Sequence, residues 1–570
     1  MTKWVGDFVG RRPRFAADLT FSVGLVVLVA AAYSPALKHG PRSDQWCYLI
    51  DTAHCGTFPH LLNESYSFNR TRTIGAGDTE LFRPVLFALL ATEKHVFEGD
   101  FRYHQGVGVG LHCLVCLLLL ALLRQIQAVA PESDPARAGW PPAVLLPYGV
   151  TAFFALSPCV QELVIWHHLH GYLLFLVLLL GSFLCLLRFA AGPPVLWWRS
   201  RLLWAAWGLA AAAAFTYELG QAYAVLAGLF AATTSRTLAS RRATAGAFAA
   251  FCMIAMVYQG TNALDRQIHA GRYDPDGGNT QVIRERAFTP ATVENSGRFA
   301  AYTLAQPFFP SQMRPEFLCE RVVVWESLWE GRGFRAFSPA LVVSYATLAA
   351  ASILAAVGFW RLARFEKGNL PQVPPATPSL LERGNLPQVP PATPSRRRAG
   401  VSGLTFLTAA GLYAAYAGIT VLGRMNVRPG PVGLPGNSYY AYFGLLFGLL
   451  ALATAWQVAG RDAGWVGILR VGLLVGLVAL SLPGAEVVRR TTADVAQASR
   501  GTTTPLRAVQ AFVAAHRDEQ GFSFAIDYTS SDPIPQKFGV PVTDIVFARW
   551  IDATEPRYRV VIRGDWCGPR

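Results

Sequence analysis

Carboxylates, guanidinium groups and imidazoles recur at the borders of this chain's apolar runs, where polar chemistry and a bilayer surface would meet. Asp44 and Asp51, seven positions apart, could accept a proton from an attacking hydroxyl. Arg83 and Arg424 carry planar forks that match phosphate oxygens two at a time. Glu162 and Glu218 could orient such arginines or bind hydroxyl groups. His104, His112, His167, His168 and His170 offer ring nitrogens for hydrogen bonds or metal ligation. Each also has a plainer reading. Asp44 could cap a helix beginning near Gln45, and Arg83, ahead of Pro84, could anchor at lipid headgroups. Arg428 lies close enough to Arg424 to take its place. Histidines at i and i+3 can share a helix face and Glu162 could join them, but no H-E-x-x-H or comparable spacing is present. The histidines therefore read as interface residues or hydroxyl contacts. The set admits a divalent metal without requiring a cofactor.

The elements that must position these groups are membrane spans. Hydrophobic residues make up 52% of the 570 residues and charged residues 15%, against about 25% charged in soluble domains. A net charge of +14 could suggest nucleic acid, but the basic residues recur between apolar runs instead of forming one stripe. Nucleic acid is therefore not an expected partner. Run length predicts about eleven spanning helices, over 15–37, 104–123, 142–157, 169–188, 202–217, 219–235, 243–263, 339–360, 401–422, 438–457 and 464–484.

Lys3, Arg11, Arg12 and Arg14 precede the first run, which is too long for a signal peptide and reads as an anchored helix. With that end in the cytoplasm, every inner loop is basic: Arg124 and Arg137; Arg188, Arg199 and Arg201; Arg236, Arg241 and Arg242; Arg361 to Arg398; then Arg461. Two apolar segments are too short or too broken to cross. Leu81 to Phe97, interrupted by Glu93, Lys94 and His95, reads as a juxtamembrane helix, and Phe299 to Phe309 as a helix at the outer interface. Asp44, Asp51, Arg83, Glu162, Glu218 and Arg424 then gather on the outer face. The acids in the short turns, Glu162 and Glu218, sit near the bilayer surface, where a charge is costly to keep.

Four divisions follow: 1–364, a membrane module with outer loops 38–103 and 264–338; 365–400, a cytoplasmic linker; 401–484, the last spans; and 485–570, a small extracytoplasmic α/β appendage. The linker holds a tandem duplication, EKGNLPQVPPATPS from Glu366 and ERGNLPQVPPATPS from Glu382. Four prolines per copy favour extended, solvated chain. In the appendage, Leu506 to His516 has helical period, while Phe522–Tyr528, Asp544–Trp550 and Tyr558–Ile562 pattern as strands. Cys113 and Cys116 form a C-x-x-C inside an apolar helix and read as packing. Cys47, Cys55, Cys319 and Cys567 fall outside, with no pairing legible. Asn63-Glu-Ser and Asn69-Arg-Thr are sequons in form, in a composition of bacterial character.

Several ordered segments resemble the C-type glycosyltransferases that use polyprenyl-phosphate-linked sugars, closest to the membrane half of the transmembrane and tetratricopeptide-repeat O-mannosyltransferases and their bacterial relatives. YSPALKHGPRSDQWCYLID is similar to that family's aspartate-bearing first outer loop. LFRPVLFALLATEKHVFEGDFRYHQGVGVGLHCLVCLLLLALL is similar to its arginine–proline helix and histidine-entered second span. ALSPCVQELVIWHHLHGYLLFLVLLL resembles its proline-turn-glutamate segment, FTYELGQAYAVL its lysine–glutamate turn, and RFAAYTLAQPFFPSQM its interfacial helix. The likeness covers roughly the first 340 residues. Tyr217 stands where the family has lysine, Gln45 where it has a second acid, and no helical repeat follows the last span.

The resemblance implies a fold and a reaction. A sugar would pass from a polyprenyl-phosphate carrier to a hydroxyl on a protein, lipid or glycan acceptor at the outer face of a bacterial inner membrane. The N-terminus would be cytoplasmic and the C-terminus extracytoplasmic. Asp44 would be the general base, Arg83 and Arg424 would hold the lipid phosphate, and Asp51, His104, Glu162, His167, His170 and Glu218 would line the substrate site. Two other classes stay open: a non-catalytic carrier or envelope scaffold that keeps the fold, and an oligosaccharide ligase or polymerase that would not need Asp44. A transporter would instead show broken helices with midplane charges and paired repeats.

Overall fold

A computed structural model describes residues 13–38, 48, 52, 55–67, 82–97, 100–129, 141–192, 197–235, 241–268, 289–309, 339–368, 394–424, 439–459, 464–515, 523–527 and 559–563. Eight described helices are long and apolar enough to cross a bilayer, so the chain is a multi-pass helical membrane protein. They lie in α1 (Pro13–Tyr33, prolonged by a 3-10 turn Ser34–Lys38), α4 (Phe101–Val129), α7 (His170–Ala191) and α10 (Arg241–Ile268). The others lie in α12 (Pro339–Gly368), α13 (Pro394–Arg424), α14 (Tyr439–Val458) and α15 (Gly464–Ala515).

The remaining three expected spans take other forms. The third is α5 (Pro141–Ala155) bent by 55° into Pro158–Ile165, whose α-helical part is α6 (Gln161–Ile165). The cause is local: Pro158 cannot donate to the helical ladder, and Ser157 caps the new turn by accepting from the Cys159 amide. The fifth and sixth, α8 (Arg201–Ala214) and α9 (Leu219–Ser235), are apolar but shorter. Between α1 and α4 lie the shorter α2 (Phe58–Ser67) and α3 (Pro84–Phe97), and α11 (Pro290–Ala305) follows α10.

Apolar surface is distributed as lipid contact requires. Phe15, Leu19, Val23, Val27 and Leu28 of α1 are exposed, as are Met253, Met256 and Val257 of α10. In water such a run would be an aggregation surface; against acyl chains it carries no penalty. At the other extreme, 89% of the apolar window of α14 is buried, which makes it the central helix. It packs against α12 and α13, and α11 lies over α13 and α14. Tyr440 and Tyr442, which open α14, pattern as interfacial aromatics; both are instead buried. Tyr442 donates its hydroxyl to His112 Nδ1 at 2.8 Å, because His112 Nε2 must give its proton to the Ala155 carbonyl 3.1 Å away.

The last helix does not end with its span at 484. It continues, and Gln161 of α6 donates to the Val488 carbonyl at 3.3 Å and to Thr492 Oγ1, binding that extension to the bent corner. The segment patterned as a separate helix over Leu506–His516 falls largely within α15. Two short strands, β1 (Ser523–Asp527) and β2 (Arg559–Arg563), pair in parallel with Phe524 opposite Val560. The third expected strand and most of the proline-rich duplication lie outside the described residues. The duplication's ends are helical: α12 takes in Glu366 to Gly368, and Pro394 opens α13, a position where its missing N–H is harmless.

Candidate functional site

Arg83 precedes the first turn of α3. Its guanidinium reaches the short α8–α9 turn and meets Glu218 with both ends of the fork, Nε to Oε1 at 2.8 Å and Nη2 to Oε2 at 2.7 Å. Nη1 donates to the Tyr172 hydroxyl at 2.7 Å. The rings of Tyr172 and Tyr217 stand 5.2 and 4.8 Å from the guanidinium carbon, within cation–π range. Burial pulls the Arg83 pKa down, but Glu218, Tyr172 and Tyr217 more than offset it, and the group is held well above its ordinary value.

Backbone geometry explains why the pair forms. The Val85 amide donates to the Phe215 carbonyl and the Tyr258 hydroxyl to the Phe82 carbonyl, so the start of α3 is fastened to α8 and α10. The α8–α9 turn closes through amides of Thr216 and Tyr217 on the Ala213 carbonyl. Gly220 lets α9 start there: a Cβ would lie 2.5 Å from backbone atoms of Ala214. Tyr217, standing where the resembled family has lysine, supplies a ring face to Arg83 instead of a second cation.

At the far end of α3, Glu93 is buried against three histidines. His167 Nε2 lies 2.9 Å, His170 Nδ1 3.2 Å and His104 Nδ1 3.4 Å from Glu93 Oε2. All four residues are at most 3% exposed. Burial would raise the Glu93 carboxyl; His170, His167 and His104 reverse this and hold it well below the carboxylate range. Burial pushes His167 down to about 4 against the pull of Glu93. Lys94 faces away, donating to the Thr52 carbonyl at 2.6 Å and to its hydroxyl, and burial lowers it to about 8. The bend after α5 and the 3-10 turn His167–Leu169 deliver two of the histidines; His104 comes from the first turn of α4.

No protein-family model, curated protein or solved structure matches the chain. The site is therefore read from its own geometry.

Of the candidate residues, Arg83 and Glu218 are joined directly, and His104, His167 and His170 converge on Glu93. Tyr172, two residues after His170, links the groups. Glu162 is buried in the first turn of α6, while the fork of Arg83 is taken by Glu218 and Tyr172. Arg424 is the last residue of α13, and its side chain lies outside the described residues, as do Asp44, Asp51 and Arg428. In the sequence Glu93 stands out only as an interruption of an apolar helix. That interruption was the signal, because an acid retained inside an otherwise apolar helix needs partners.

Proposed function

We propose that the chain is a membrane glycosyltransferase that moves a sugar from a polyprenyl-phosphate carrier to an acceptor hydroxyl. The observation that carries this reading is the Arg83–Glu218 ion pair. It joins two segments separated by 135 positions, the arginine–proline helix and the glutamate turn, both of which resemble parts of the C-type transferases. A guanidinium preset by a carboxylate and two tyrosine rings is suited to receive the phosphate that leaves.

The reaction balances simply. The acceptor oxygen attacks the anomeric carbon, the bond from that carbon to the phosphate oxygen breaks, and the electron pair leaves with the lipid phosphate. Asp44 takes the acceptor proton. Arg83 and Arg424 stabilise the charge gathering on phosphate, and Asp51, Glu162, His104, His167 and His170 belong to the wider substrate region. Topology belongs to the same proposal: eleven crossings, a cytoplasmic N-terminus, the linker 365–400 inside, an α/β appendage outside, and residence in a bacterial inner membrane. Reporter fusions after Arg398 and after Arg570 then report opposite sides.

Asp44→Asn and Arg83→Ala variants, checked for membrane levels, test the chemistry by mass spectrometry of cellular glycans and lipid-linked sugars. The expected outcome is loss of one glycan with accumulation of its donor. Unchanged profiles in both variants would reject transfer and favour a carrier or scaffold.

A further inference from the structure

Glu93 is only 3% exposed, and among the described residues no lysine or arginine pairs with it. A buried carboxylate needs positive charge or full hydrogen bonding. Three imidazole nitrogens from three elements crowd its Oε2 instead, at 2.9, 3.2 and 3.4 Å. One carboxylate oxygen cannot direct lone pairs at all three. His167 shows the misfit: its Nε2 is the nearest nitrogen yet lies out of line for a hydrogen bond, and its Nδ1 is unbonded too. Fully buried, such a ring is costly unless something else occupies its lone pair.

We propose that Glu93, His104 and His167 bind a divalent transition metal, with Zn2+ the ion that fits. One ligand atom from each residue lies within 4.8 Å of the others, so modest side-chain rotation brings all three to ~2.0–2.2 Å from a common ion. Two imidazoles and one carboxylate form a zinc ligand set, whereas calcium and magnesium prefer all-oxygen sites. His170, with Nδ1 3.2 and 3.3 Å from the two Glu93 oxygens, is the outer partner that orients the carboxylate. Gly108 of α4 leaves room for it, since a Cβ there would sit 2.4 Å from His170 Nε2 and 2.3 Å from the Val164 carbonyl. The metal clamps the C-terminal half of α3 to α4 and to the corner before α7. Arg83 stands ten residues back along the same chain segment, ~15 Å at helical rise, so α3 is pinned at both ends. The site does not depend on the transfer reaction.

The test uses the full-length protein in detergent, purified through a histidine-free tag, stripped with chelator and reloaded with Zn2+. One zinc per chain is expected by elemental mass spectrometry after excess metal is removed. Glu93→Gln and His167→Ala should weaken binding by more than ~100-fold, and His170→Ala by ~10–100-fold, the range for an outer partner. His95→Ala, an exposed histidine on the same helix, should bind as wild type does. Monodisperse wild-type protein that retains no zinc overturns the site, as do Glu93 and His167 variants that retain it fully. If a ligand variant fails to fold, X-ray absorption on Co2+-loaded wild-type protein decides. Imidazole nitrogens in the cobalt shell support the site, and a shell of oxygens alone overturns it.

Discussion

Two arginine–carboxylate–tyrosine groups brace opposite ends of this bundle, and only one of them belongs to a candidate site. Arg124, near the C-terminal end of α4, bonds Asp18 of α1 at 3.0 and 2.8 Å, and Tyr148 donates to the same Asp18 oxygen at 2.6 Å. The Arg124 guanidinium carbon stands 4.2 Å from the Tyr148 ring. Arg83, Glu218, Tyr172 and Tyr217 repeat that chemistry where the start of α3 meets the first turn of α7 and the α8–α9 turn. The residue types are the same; the surroundings differ. Asp18 is 38% exposed and Arg124 20%, whereas Arg83 is 8% exposed. Arg124 spends its remaining donors on Gln127 and the Val144 carbonyl, closing a purely structural knot. Arg83 immediately precedes α3, the helix whose far end carries Glu93 and meets the histidines. An ion pair framed by tyrosine is thus not a site in itself; burial and neighbouring unsatisfied groups make one.

The sharpest way to break that distinction is a double-mutant cycle at each end, read as stability in detergent. Breaking a buried pair costs ~3–5 kcal/mol, and with Glu218 26% exposed the expected loss for Arg83→Ala is ~2–3 kcal/mol. Asp18→Asn should lose ~0–1 kcal/mol, as solvent-reached pairs do. Coupling energies that come out equal would mean the two groups are energetically alike, and Arg83 would lose its claim to a special setting.

A glycine pair sharpens the same contrast one step lower. Gly220→Ala drives a Cβ into the Ala214 backbone, which cannot yield without opening the turn that carries Glu218. Overpacking of this kind costs ~1–3 kcal/mol, and the variant should weaken the Arg83 coupling measured in the cycle. Gly24 of α1 has nothing within 4 Å of its Cβ position. Gly24→Ala should leave stability unchanged or slightly raised, because alanine is the better helix former. A Gly220→Ala protein as stable as wild type, with its coupling intact, would show that the turn is more tolerant than its packing implies.

Much of the helical architecture was legible because apolar run length and helix length are the same physical quantity read twice. Arg83, Glu218, His104, His167 and His170 were also legible, as polar residues at the ends of apolar runs. Their partnerships were not. Arg83 finds Glu218 across 135 positions, His170 finds Glu93 across 77, and His112 finds Tyr442 across 330. Periodicity carries no information at such separations. Tyr442 patterned as an interfacial ring because aromatic residues opening a span usually are; the central position of α14 overrides that preference. The α5–α6 bend was visible in Ser157-Pro158, but not its consequence, which is to bring His167 to Glu93. Arg124 was readable as an inner-loop charge, yet only packing reveals that it serves Asp18 of α1.

The smallest expected effect concerns the rings. Tyr217 and Tyr148 both face a guanidinium, but Tyr148 also donates a hydrogen bond to Asp18, whereas Arg83 already has its hydroxyl partner in Tyr172. At Arg83 the Tyr217 face should therefore matter more than its hydroxyl. Tyr217→Phe should lose only a few tenths of a kcal/mol, and Tyr217→Leu ~1 kcal/mol, the range of a partly desolvated cation–π contact. At the other end the order of losses is shared between ring and hydroxyl, so Tyr148→Phe should account for a larger part of the Tyr148→Leu effect. Thermal unfolding of the four variants in one detergent gives both ratios. If Phe and Leu are equally harmful at Tyr217, its hydroxyl is what the fold uses there, and the substitution of a ring face for the resembled family's lysine would not be the reason Arg83 is held so firmly.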